Sequence, residues 1–121
     1  MFKVKDRQNS CVEPFEFLPA TEGEVYALGE ALVFGEKVTK CGATKTPTHI
    51  CMGPGDGTVV PVMPVLKTTR FEVPYSVTKP AVGTVVTLDG TAMMVTNVTT
   101  DGVFTVTDID EADGTVCGYF K

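Results

Sequence analysis

Asp-Gly occurs four times in this chain, at Asp56-Gly57, Asp89-Gly90, Asp101-Gly102 and Asp113-Gly114. A two-residue type I′ hairpin turn needs positive φ at both central positions, which Asp and Gly tolerate and most residues do not. The last three pairs are separated by TAMMVTNVTT and VFTVTDIDEA, each starting with a strand-like run. In the second, Phe104 and Val106 alternate with Thr105 and Thr107, the two-residue period of a half-buried strand. This spacing predicts a four-stranded meander over 84–88, 91–98, 103–108 and 115–120.

The residue types agree with that reading. Valine and threonine are the two commonest residues, and both are stiff at χ1 and fit a pleated surface better than a helix. No window of a dozen residues keeps a helical apolar stripe free of Gly and Pro. The fold class is therefore all-β, and at 121 residues the length suits one domain with its own core.

The first half is less regular. EVYALGEALVFGEKVTKCG predicts strands near 24–34 and 37–41, with Gly29 as a bulge and Gly35-Glu36 as a turn. THICM (48–52) reads as a short strand entering the glycine turn GPGDG (53–57). Pro61, Pro64 and Pro74 interrupt a β-like run; proline cannot donate to a ladder, so they mark edges, strand starts or breaks. Residues 1–20 mix charge with the prolines of CVEPFEFLPA and read as an extended N-terminal arm, partly ordered at best in the isolated protein. The expected organisation is an arm over 1–20 and a small β-barrel or β-sandwich over 21–121.

A net charge of −5 opposes binding to a nucleic-acid backbone or an anionic membrane surface, both of which need a cationic footprint. No apolar run approaches the roughly 18 residues of a membrane span. MFKVKDRQNSC carries charges and no apolar core of a secretory signal, so synthesis in the cytoplasm with reduced thiols is expected. Cys11, Cys41, Cys51 and Cys117 match no zinc-ribbon or CxxC spacing and read as small buried hydrophobes.

Three stretches could carry chemistry. His49 and Cys51 share one face of a strand, at a separation compatible with a Cys-His couple or half a zinc site, with Cys41 as a neighbour. A nucleophilic cysteine needs an oriented base and an oxyanion hole, and a zinc ion needs more ligands, so the strand-face reading is preferred. GPGDG resembles an anion-cradling loop, but it lacks the GK[ST] ending and leads into a strand. DIDEADG groups Asp108, Asp110, Glu111 and Asp113, but its third Asp comes one place late for a calcium loop and Tyr119 holds the twelfth position. The expectation is a non-enzymatic chain with no cofactor and no metal.

The stretch GEALVFGEKVTKCGATKTPTHICMG sets a glycine-led strand before a G-x-K-V-T-K turn and a T-P-T-x-I segment. RFEVPYS follows, and then VGTVVTLDGTAMMVTNVTTDGVFTVTDIDEADGTVCGYF in the order V-G-x-x-V-T-L, D-G, V-T, D-G. Over residues 24–120 this resembles the small capsid decoration (cement) proteins of tailed-phage heads and their prophage-encoded relatives. The resemblance implies a β-barrel or β-sandwich on the outer surface of the virion head. It also implies binding to the major capsid protein and a homo-oligomer such as a trimer about a local three-fold axis. In such proteins the arm carries the contact, which here points to Phe15, Phe17 and Leu18. This arm is charged and proline-bearing, where alanine- and glycine-rich arms are usual. The alternative class is a β-sandwich binding module, such as a receptor-binding or adhesin-like domain of a fibre or cell-surface protein.

Overall fold

The computed structural model describes residues 1–8, 12 and 15–121; Cys11 lies outside them. Among the described residues there are ten strands: β1 Lys3–Arg7, β2 Glu16–Pro19, β3 Ala31–Phe34, β4 Val38–Lys40, β5 His49–Cys51, β6 Val59–Pro64, β7 Thr69–Pro74, β8 Val85–Val86, β9 Phe104–Asp110 and β10 Thr115–Phe120. They form two antiparallel five-stranded sheets. Sheet A has the order β1-β7-β10-β9-β8 and sheet B the order β2-β6-β5-β3-β4. The all-β expectation holds, and the architecture is that of an open sandwich rather than a closed barrel.

Strand alternation builds the main core. In β7, Thr69, Phe71 and Val73 are buried while Arg70 and Glu72 between them are half-exposed, the pattern of a sheet with one covered face. Phe71, Phe104 and Phe120 of sheet A pack with Ala31, Ile50 and Met63 of sheet B. Phe2 completes an aromatic group, its ring 5.0 Å from Phe120 and 5.9 Å from Phe104 by centroid. At Gly118 the β9–β10 register shifts. A Cβ there would lie 1.9 Å from the Thr105 carbonyl oxygen, so only glycine lets the two backbones approach this closely.

Sheet B has a second core on its other face. Leu18, Leu32, Val38, Cys51, Val60 and Val62, one or two from each of its five strands, converge there with Ala20 and Tyr26. A single sheet can surround a core only by curling, and an isolated bridge between Ala20 and Val38 brings the end of β2 beside β4. Tyr26 closes one end: its hydroxyl donates to the Val38 carbonyl at 2.7 Å and accepts from the Thr21 N–H at 2.8 Å. Glu30, 1% exposed, accepts from the Ala27 N–H and from Lys40 Nζ at 2.8 Å. Its burial is sustained by those partners.

Several expectations need correction. Within residues 1–20 the described segments are not a loose arm: β1 pairs with β7 and β2 with β6, and Phe2 is a core residue. The described part of the expected arm thus supplies one edge strand to each sheet. The 91–98 segment is not a strand: Val95 makes only isolated bridges to Tyr75 and Leu88, and Ala92 sits at φ 56°. The 24–34 strand starts only at Ala31, because Gly29 at φ 82° turns the chain under Met1. Pro61 lies inside β6, between two neighbours. Its carbonyl accepts from the Met52 N–H at 2.9 Å. The bond it cannot return falls just beyond the end of β5, so the ladder stops where the donor is missing.

Candidate functional site

His49 and Cys51 do share a face, the inner face of the curl. Cys51 is fully buried, and its thiol donates to the Gly53 carbonyl at 2.9 Å. Burial pushes its pKa up, which holds it as the thiol, not the nucleophilic thiolate. His49 Nδ1 is 2.9 Å from Thr48 Oγ1, and Nε2 is 3.9 Å from Glu16 Oε1. Its ring stands edge-on to Phe34 at 6.0 Å. Burial lowers the imidazole pKa and the Glu16 carboxylate opposes that shift. Each side chain is thus engaged with its own surroundings.

Cys41, the third potential ligand, belongs to the core between the sheets, whereas Cys51 belongs to the core inside the curl. Its thiol donates to the Lys45 carbonyl at 3.1 Å, and burial pushes its pKa up to about 11. Among the described residues no three His, Cys, Asp or Glu side chains converge to hold a metal ion.

Asp56 of the GPGDG loop caps the donors that follow it. Asp56 Oδ1 accepts from the N–H groups of Thr58 and Val59 at 2.8 and 2.9 Å, and these bonds lower the carboxyl pKa. A phosphate would have to displace that carboxylate. In the acidic turn, Asp110 accepts from the Asp113 N–H at 3.2 Å and Asp108 from the Ile109 N–H at 2.9 Å. Glu111 pairs with Lys79. Asp108 and Asp110 thus brace the β9–β10 strand end and its connection, where Gly114 takes φ 69°.

The remaining candidates are Phe15, Phe17 and Leu18. Alternation along β2 divides them. Leu18 is half-buried against the core inside the curl, while Phe15 and Phe17 are 62% and 68% exposed. Phe17 lies opposite Pro61, on the outer face of sheet B, beyond the reach of sheet A. The same face continues into a groove of about 340 Å³ lined by Met1, Phe2, Val4, Leu28, Met52 and Met63, among others. Leu28 on its rim is 47% exposed. Phe15 and Phe17 were legible as an apolar alternation; the groove was not, since it joins residues from four separate segments. No family model, no curated protein and no solved structure matches this chain.

Proposed function

We propose that this chain is a non-enzymatic structural protein that docks on the outer surface of a tailed-phage head, bridging copies of the major capsid protein. The observation that carries the docking reading is the exposure of Phe15 and Phe17 on a strand held by pairing to β6. Fixed aromatic side chains lose little conformational entropy on contact and each buries a large apolar area, which makes them efficient anchors. The adjoining groove extends the same apolar strip. The thiol state of Cys51 and the contact of His49 Nδ1 with Thr48 speak for a scaffold role on this strand face. The identity of the docking partner rests on the motif order over residues 24–120.

The test is to band virions of the source phage on a density gradient and quantify this chain against the major capsid protein by mass spectrometry. Stoichiometric presence, lost in a Phe17→Asp variant that still folds, is the expected result. Absence from clean particles sinks the capsid reading and leaves the same strip serving a β-sandwich binding module.

A further inference from the structure

Two loops that the docking strip leaves unused meet around a small cavity. It measures about 130 Å³ and is lined by Glu24, Val25, Tyr26, Pro54, Gly55 and Gly57. The segment ahead of β3 forms one wall and the GPGDG loop the other. Both walls are pinned. Glu24 N–H donates to the Thr21 carbonyl at 3.2 Å, and Thr21 N–H donates to the Tyr26 hydroxyl at 2.8 Å. Opposite them, the Asp56 carboxylate holds the N–H groups of Thr58 and Val59. Gly55 packs so closely that a Cβ on it would lie 3.0 Å from the Val59 carbonyl oxygen and 3.6 Å from Tyr26 Cδ2.

Glu24 is half-buried, and its Oε2 is buried with no hydrogen-bond partner among the described residues. No Lys or Arg lines the cavity, and Glu24 forms no ion pair among the described residues. A buried carboxylate oxygen left unpaired is costly and calls for a partner from outside the chain. The terminal torsion of a glutamate is broad, so rotation of the carboxylate presents this oxygen to a group entering the cavity.

We propose that the cavity takes the side chain of a lysine from a partner protein, its ammonium on Glu24 Oε2 and its stem along Val25, Tyr26 and Pro54. Lysine buries its methylene stem against apolar surface while its charge seeks a polar partner, and Val25, 81% exposed, extends that surface outward. Pockets for drug-sized ligands measure about 300–1,000 Å³, so this one has room for a single side chain. The orphan is one oxygen, which suits the compact charge of an ammonium; the planar fork of a guanidinium matches a carboxylate through both oxygens. A calcium ion takes about six to eight oxygen ligands, and the lining brings one carboxylate. Exposed Glu22 and Asp56 flank the lining residues in sequence, and the net charge of −5 favours approach of a cationic surface. The site stands independently of what Phe15 and Phe17 dock on.

The experiment is an amide NMR titration of the full chain with n-butylammonium chloride, which carries the lysine stem and charge, to about 50 mM at constant ionic strength. The expected result is saturable shifts at Glu24, Tyr26, Gly55 and Gly57, with a Kd of about 1–10 mM, as one ion pair and a short stem allow. Nα-acetyl-lysine methylamide should move the same amides. Glu24→Gln should weaken both probes at least about tenfold, whereas Glu22→Gln, which alters only an exposed charge, should leave them within about twofold. Equal shifts with uncharged n-butanol would reduce the cavity to an apolar dent and overturn the proposal, as would tighter binding of ethylguanidinium or of Ca²⁺ at the same amides. Binding of n-butylammonium without the blocked lysine would assign the cavity to free amines and overturn the lysine. No saturable shift in the native chain would leave Glu24 Oε2 to ordered water and remove the site, with the capsid reading untouched.

Discussion

At the scale of single residues, His49 shows how burial decides chemistry. The same imidazole that suggests a ligand or base in the sequence is held in a half-apolar pocket between Phe34, Thr48 and Glu16. Burial lowers its pKa, outweighing the attraction of Glu16. A histidine harder to protonate when folded makes folding weaker in acid, because the unfolded chain takes up the proton first, from about pH 6.5 downward. The stability it protects is complete above that pH and is lost as pH falls toward the folded pKa. Thermal melts at about pH 7.5 and about pH 5.5 should therefore show a larger loss for the native chain than for His49→Gln. Equal losses would mean that the imidazole is as easily protonated folded as unfolded. Cys51, two residues on, faces the same core with a raised pKa. One strand face thus explains both side chains that first suggested a site.

At the scale of elements, what could be read from sequence was whatever local chemistry controls. The alternation of Phe104, Thr105, Val106 and Thr107 made β9 legible, and Asp113-Gly114 marked its hairpin to β10. Asp56-Gly57 likewise sits in the connection between the paired strands β5 and β6, but Asp89-Gly90 and Asp101-Gly102 misled, because the dipeptide fixes a turn without fixing what the turn joins. Asp101 takes φ 57° beside a Gly102 that is not left-handed; there a Cβ would sit 2.1 Å from the Val85 carbonyl oxygen. That glycine answers a close backbone approach, which no local pattern reveals. The N-terminal residues misled for a different reason: the charges of β1 suit an exposed edge, and its core anchor is Phe2, just outside the strand. Truncating that anchor separates a strand from an arm. Phe2→Ala should cost about 3 kcal/mol or more of unfolding free energy, whereas Phe17→Ala, on an exposed side chain, should change it by less than about 0.5 kcal/mol. Denaturant titration of the two variants measures both, and a Phe2→Ala midpoint matching the native chain would restore a loosely attached arm.

At the scale of the whole molecule, sheet B is the layer both cores share. Ala31 and Ile50 point from it into the core against sheet A, and their neighbours Leu32 and Cys51 point into the core inside the curl. A strand cannot lose one of these faces and keep the other, since alternate side chains hang from one backbone. The two cores should therefore melt together. Leu32→Ala empties part of the curled core and Phe104→Ala part of the core between the sheets; both side chains are fully buried in the native chain. Each should remove about 3 kcal/mol, a shift on the order of 10 °C in Tm for a domain of this size. In both variants calorimetry should still give one transition, with calorimetric and van't Hoff enthalpies equal. An early separate step in Leu32→Ala alone would show that the curl unfolds by itself. Phe15 and Phe17 would then ride on a mobile lobe, and a docking strip built on them would lose the rigidity that makes it effective.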